Sequence, residues 1–163
     1  MTITALLPDH WPAVKGIYED GLATGNASFQ TSAPSWEEWD KSHLPHSRLV
    51  ALEGEQVIGW AALTPVSGRC VYAGVAEVSV YIDPVRQGEG IGKALVQGLI
   101  TESEKNGIWT LQAGIFPENI ASVKLHEKCG FWQVGIRKKI GKMHGIWRDT
   151  VLLEKRSETV GSE

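Results

Sequence analysis

"VYIDPVRQGEGIGKALVQGLI", Val80 to Ile100, decides how this chain is read. A short apolar run, Val80 to Ile82, stops at Asp83 and Pro84. Three alternating glycines follow, Gly88, Gly90 and Gly92. A helical pattern then sets in, with Ile91, Leu95 and Leu99 on one face. Glycine loses the most backbone freedom on folding, so a cluster of it marks positive φ or a close approach to the main chain. At the mouth of a helix the first N–H groups are unpaired and the macrodipole is positive, which suits an anion and phosphate above all. The stretch predicts a phosphate cradle that opens a helix from about Gly90 to Asn106. The alternative is a plain strand-to-helix turn, which seldom needs three glycines together.

Two familiar cradles do not fit. The dinucleotide fingerprint G-x-G-x-x-G finds Lys93 where its third glycine belongs. The Walker loop finds Gln87 in its first position and Ala94 in its last. What remains is Q-x-x-G-x-G, Gln87 through Gly92.

Working outward, "TITAL" is a first strand, and Asp9 is the expected N-cap of a helix that carries Val14, Ile17, Tyr18 and Leu22. Pro34 opens a second short helix, and two strands form a hairpin around Gly54. "VAEVSVYI" alternates as a central strand should, and "IWTLQAGIF" reads as a buried one. Asn119 caps a last helix that stops at Gly130, and two final strands turn near His144 and Gly145. This order predicts one α/β (α+β) domain over residues 1–156, a mixed sheet with helices on both faces, and a loose polar tail over 157–163.

A net charge of −3 argues against a nucleic-acid binder that relies on a broad basic surface. No apolar run approaches the ~18 residues of a membrane span, and "MTITALLPDHW" lacks the marks of a signal peptide. Cys70 and Cys129 have neither disulfide nor metal spacing, which suggests a reducing compartment and hence the cytoplasm. His10, His43 and His46 form no motif, so no metal is expected.

The motifs, taken together, carry a resemblance. Strand, Q-x-x-G-x-G, long helix, strand, and then "NIASVKLHEKCGF" resembles the GNAT N-acetyltransferase superfamily. Within it, "SFQTSAPSWEEW", "RCVY" followed by Glu77, "SVYIDP" and "KMHGIWRD" are similar to the phosphinothricin acetyltransferases. These stretches run from about Phe29 to Asp149, nearly the whole chain. The resemblance implies a mostly antiparallel sheet of six to seven strands, acetyl-CoA as cosubstrate, direct acetyl transfer to a small amine, and a homodimer.

The resemblance also implies a site. The main chain of Gln87, Gly88, Glu89, Gly90, Ile91, Gly92 and Lys93 would hold the pyrophosphate. The strand edge at Val80, Tyr81 and Ile82 would take the peptide-like pantetheine arm, and the Val80 N–H would face the developing oxyanion. Asn119 and Ser122 would contact the cofactor, with Asn119 serving equally as a helix cap. Glu77 matches the family's general base, and a carboxylate among Val and Ala is costly unless paired or open to a cavity; a surface glutamate at the strand end is the other reading. His126 stands where many members carry a tyrosine that reprotonates the leaving thiolate, and an imidazole could supply that proton. A satisfied, half-buried histidine is the other reading of it. Arg69 and Tyr72 would clamp an acidic substrate group, with Phe29 in the substrate wall; a solvated loop arginine is the other reading of Arg69. Gln30 stands where some relatives carry a basic residue. Two rival readings stay open: a protein or peptide N-acetyltransferase, and a non-catalytic CoA-binding regulatory module.

Overall fold

A computed structural model describes every residue, Met1–Glu163. Its strands are β1 (Thr2–Ala5), β2 (Leu49–Glu53), β3 (Gln56–Pro65), β4 (Val75–Ile82), β5 (Thr110–Ile115), β6 (Trp132–Met143) and β7 (Ile146–Arg156). Its helices are α1 (Trp11–Ala23), α2 (Trp36–Ser42), α3 (Ile91–Lys105) and α4 (Ile120–Lys128). The strands form a single seven-stranded sheet in the order β1-β2-β3-β4-β5-β7-β6. Only β4 and β5 run parallel; every other pair is antiparallel. The strand and helix order and the mixed sheet match the expectation from sequence.

Alternation along the strands divides the core in two. Leu95, Val96 and Leu99 of α3 are fully buried against Leu63, Ala76, Leu111 and Leu153. Burying each such side chain contributes about 1.5–3 kcal/mol relative to exposure, so α3 is firmly seated and its first turn has a fixed position. The opposite face carries α1 and α2, with Trp39, Trp60 and Tyr18 at its centre. Trp60 stacks on Tyr81 with ring centroids 5.1 Å apart, and Tyr18 lies 4.8 Å from Tyr81.

The feature that builds the site is where β4 leaves β5. Their pairing covers only Val75–Glu77, opposite Thr110–Gln112. Gly74 starts it: its carbonyl accepts from the N–H groups of Trp109 (2.8 Å) and Thr110 (3.1 Å). A Cβ on Gly74 would lie 2.0 Å from the Trp109 ring, so only glycine allows this junction. Beyond Glu77 the strands part, while β5 turns to β7 for its remaining pairing.

Two local expectations change. Asp9 is no N-cap, because Pro8–His10 form a 3-10 turn, α1 starts at Trp11, and the Leu7 N–H bonds His10 Nδ1 at 2.9 Å. The second helix is capped by Ser35 and not begun by Pro34. Ser35 Oγ accepts from the Glu38 N–H at 3.2 Å and donates to its carboxylate at 3.1 Å. At the other end, Ser157 and Thr159 donate to the Glu104 carboxylate at 2.7 and 2.5 Å, and Arg156 reaches the Val160 carbonyl at 2.7 Å. These bonds hold the polar C-terminal residues against the end of α3.

Candidate active site

Two hydrogen bonds fix the polarity of β4. The Val75 carbonyl accepts from Val66, and the Asp83 N–H donates to Ile58, so odd-numbered residues turn their main-chain groups toward β3. Val78, Val80 and Ile82 therefore turn theirs to the other side, which has no strand partner after Glu77. This is an open backbone edge, flanked by the start of α3. Tyr81 does not belong to it. Its main chain faces Trp60 across β3, and its ring lies in the aromatic layer under α1. Burial there pushes its phenol well above the ordinary value.

The glycine loop ends in the left-handed region. Gly88 has φ 80° and Gly90 has φ 81°, and Gly90 is the N-cap of α3. The first helical bond runs from the Ala94 N–H to the Gly90 carbonyl at 3.1 Å. The N–H groups of Gly90, Ile91, Gly92 and Lys93 are thus the open first turn. A Cβ on Gly88 or Gly90 would meet nothing within 4 Å, so the space in front of the loop is clear. Gly92 has a different role, since a Cβ there would press on Ile82 and Leu125 at 2.8 and 2.9 Å. It lets α3 approach β4 and α4. Gln87 and Lys93 are exposed, and Lys93 pairs with no carboxylate of the chain.

Glu77 sits at the point of splay, half-buried, opposite Thr64 on β3 and Gln112 on β5. Gln112 Nε2 donates to its Oε1 at 3.3 Å. No other bond holds the carboxylate, so Oε2 is left without a partner in the chain. Gln112 was not expected; a polar residue inside the strand "TLQAGI" was the one signal that could have marked it.

Asn119 caps α4, its Oδ1 accepting from the Ser122 N–H at 3.3 Å. Its Nδ2 also reaches across to the Asn26 carbonyl at 3.2 Å, in the loop that follows α1. Arg148, from the "KMHGIWRD" stretch, holds the same loop. It donates to the Gly25 carbonyl at 2.5 Å, to Asn26 Oδ1 at 2.8 Å and to Glu118 at 3.3 Å. Its guanidinium covers the Phe116 ring at 3.7 Å, and Phe116 meets Phe29 edge-on at 4.9 Å. Phe29 also lies against Gly141 of β6. Gln30 accepts from the Tyr18 hydroxyl.

His126 is 2% exposed. Its Nδ1 lies 2.7 Å from the Ser122 carbonyl, so that nitrogen carries the proton, and Nε2 is buried with no partner. Desolvation holds the ring below the ordinary imidazole range, with the Ser122 bond opposing it. A neutral ring in this tautomer accepts a proton at Nε2 and has none to give there.

Arg69 and Tyr72 lie on the exposed turn between β3 and β4, where Val66 and Val75 close the base two residues before Glu77. The Arg69 guanidinium stands 5.5 Å from the Tyr72 ring centre and pairs with no carboxylate of the chain. No group of His, Cys, Asp and Glu side chains is arranged to hold a metal.

Comparison with known proteins gives a consistent picture. Residues 11–131 match the model of the acetyltransferase (GNAT) family. A phosphinothricin N-acetyltransferase of Alcaligenes faecalis is 36% identical, over 94% of this chain and 81% of its own. An L-methionine sulfoximine/L-methionine sulfone acetyltransferase of Salmonella typhimurium is 32% identical, over 68% of this chain and 65% of its own. The crystal structure of a phosphinothricin acetyltransferase from Sinorhizobium meliloti in complex with acetyl-CoA superposes with a TM-score of 0.89 at 26% identity, covering 99% of this chain and 91% of that one. A ribosomal-protein-alanine N-acetyltransferase from Brucella melitensis superposes at 0.88 with 29% identity, covering 96% of this chain and all of its own.

Proposed function

The chain belongs to the acetyltransferase (GNAT) family, and from that premise we propose that it transfers acetyl from acetyl-CoA to the primary amine of a small, anionic, amino-acid-like substrate. One observation carries this reading: an open β4 edge and an open α3 first turn lie on either side of the Asp83–Gly90 segment, with Glu77 at the splay. Both fit the cosubstrate. The clear space before Gly88 and Gly90 lets a pyrophosphate reach main-chain donors. The Val80 and Ile82 main chain matches the paired amides of a pantetheine arm.

Bound acetyl-CoA supplies an activated thioester carbonyl; the remaining tasks fall to the chain. The Glu77 carboxylate removes the ammonium proton, directly or through a water. The Val80 N–H, on the open edge, is the donor for charge that develops on the carbonyl oxygen. A thiol with a reference pKa of about 8.5 leaves as thiolate with little help, so this reading needs no acid from His126. Asn119 and Ser122 complete the cofactor side, and Phe29 contributes to the acceptor wall through Phe116.

Arg69 tests the substrate class. A guanidinium clamp on a substrate acid contributes about 1.5–3 kcal/mol, so Arg69→Ala should lower kcat/KM by about 10–150-fold with acetyl-CoA affinity unchanged. Lysine keeps the charge and loses the fork, so Arg69→Lys should fall between. Initial rates with phosphinothricin, methionine sulfone and a short peptide check it. A peptide preferred over both small amines, with no Arg69 effect, would move the substrate class to protein N-termini.

The working unit we infer is a homodimer formed through the sheet edge. Along β6, Trp132, Val134, Ile136 and Ile140 are about half exposed, and Ile146 and Trp147 continue the apolar surface. Sedimentation at micromolar concentration should give twice the chain mass; a monomer there removes the dimer. No helix is long and apolar enough to cross a membrane. The free thiols of Cys70 and Cys129 fit the reducing cytoplasm as the enzyme's location.

A further inference from the structure

Glu89 poses a problem for an anion cradle. It lies between the two positive-φ glycines, directly before the N-cap of α3. Its carboxylate is held below the ordinary range by the hydrogen bonds from Arg86. A bare negative charge at this position repels phosphate within a Debye length of about 8 Å.

Arg86 meets that charge directly. Its Nε donates to both Glu89 oxygens, at 3.0 and 2.9 Å, and its Nη2 donates to Oε1 at 2.9 Å. The same Nη2 reaches Glu53, the last residue of β2. Arg86 is itself fixed. It ends a 3-10 turn, Pro84–Arg86, in which its N–H bonds the Asp83 carbonyl at 2.9 Å and Asp83 Oδ1 caps the Val85 N–H at 3.1 Å. Exposed ion pairs add little to stability. The use of this one is local: a planar fork turns the Glu89 side chain back toward the hairpin and neutralises it.

We propose that Arg86 is a positioning residue for acetyl-CoA, masking the Glu89 charge and pinning the glycine loop to the end of β2. The proposal rests on the reading of that loop as a pyrophosphate cradle. Its charge arithmetic is simple. Glu53, Arg86 and Glu89 sum to one negative charge, and removing Arg86 alone leaves two. Removing Arg86 and Glu89 together restores one.

The test is a kinetic cycle of Arg86→Gln, Glu89→Gln and the double variant, with acetyl-CoA and with S-acetylpantetheine, which has no pyrophosphate. Arg86→Gln should raise the acetyl-CoA KM about 3- to 10-fold, as expected for one added charge near the phosphates. Its kcat and acceptor KM should not move, and the defect should shrink with added salt. Glu89→Gln should lower the acetyl-CoA KM, and the double variant should return to wild type. With S-acetylpantetheine, Arg86→Gln and wild type should be equal. If the pair were only a structural clamp, Glu89→Gln would be as impaired as Arg86→Gln and the double variant would show no rescue; that result overturns the proposal. A wild-type enzyme that uses acetyl-CoA and S-acetylpantetheine equally well would instead overturn the cradle itself.

Discussion

Glu77→Gln is expected to lower kcat by about 10²–10⁴-fold near neutral pH, the usual range for losing a general base. The geometry makes this a clean change. The replacement has nearly the same volume, and its amide oxygen can still accept from Gln112, which now bonds Oε1 at 3.3 Å. Stability should therefore hold within ±0.5 kcal/mol, and what is lost is the second oxygen, which has no partner in the chain. The pH profile gives the sign. A peptide α-amine has a pKa near 7.7–8.0, and the amine of a free amino acid, beside its own carboxylate, titrates higher still; below that pKa the substrate arrives protonated and needs the base. Above it the amine is already neutral, and the gap between Glu77→Gln and wild type should close. Rates from pH 6 to 9.5, with thermal melts alongside, check both points. A loss that stays constant with pH would leave Glu77 as a binding group; a variant that melts early would make it a structural one.

The parts of this site that could be read from sequence are those with local causes. Gly90 caps α3 in the left-handed region, which glycine alone enters freely, and the glycine run that marks it lies within a few residues. Asn119 caps α4, and the His144–Gly145 turn takes positive φ at both residues, as a two-residue hairpin demands. The splay of β4 came from the family resemblance, yet its start is physical. Gly74 alone admits the Trp109 ring, and Gly74 and Trp109 lie far apart in sequence. The contacts of Arg148 and Gln112 and the Arg86–Glu53 pair were out of reach for the same reason. Their partners are set by the sheet order, and no spacing pattern encodes them. Tyr81 was misassigned because "SVYI" reads as one edge. The pleat gives the edge to Val80 and Ile82 and sends the tyrosine to the aromatic layer. His126 shows the limit of a positional match. Its place in α4 agrees with a proton donor, but its burial and its bond to the Ser122 carbonyl are features that sequence does not contain.

Gly90→Val should abolish useful acetyl-CoA binding in a protein that still folds. Two effects separate here. Valine at φ 81° carries left-handed strain of about 1–2 kcal/mol, which a stable domain tolerates. The space a Cβ would enter holds no protein atom within 4 Å, so no core contact is broken. That same space lies before the N–H groups of Gly90 to Lys93. Its branched side chain keeps an anion out of hydrogen-bond reach. Losing two charge-assisted bonds at about 1.5–3 kcal/mol each predicts a rise in the acetyl-CoA dissociation constant of about 100-fold or more. Gly107 is the control. It lies just past the other end of α3, with φ 80° and nothing within 4 Å of its Cβ. Gly107→Val should lose a similar amount of stability in urea and bind acetyl-CoA as wild type does. Titration calorimetry on the two variants isolates the cradle from the strain. Equal acetyl-CoA affinity in folded Gly90→Val and Gly107→Val would mean that the pyrophosphate does not approach this turn, and the loop would then be only the hinge between β4 and α3.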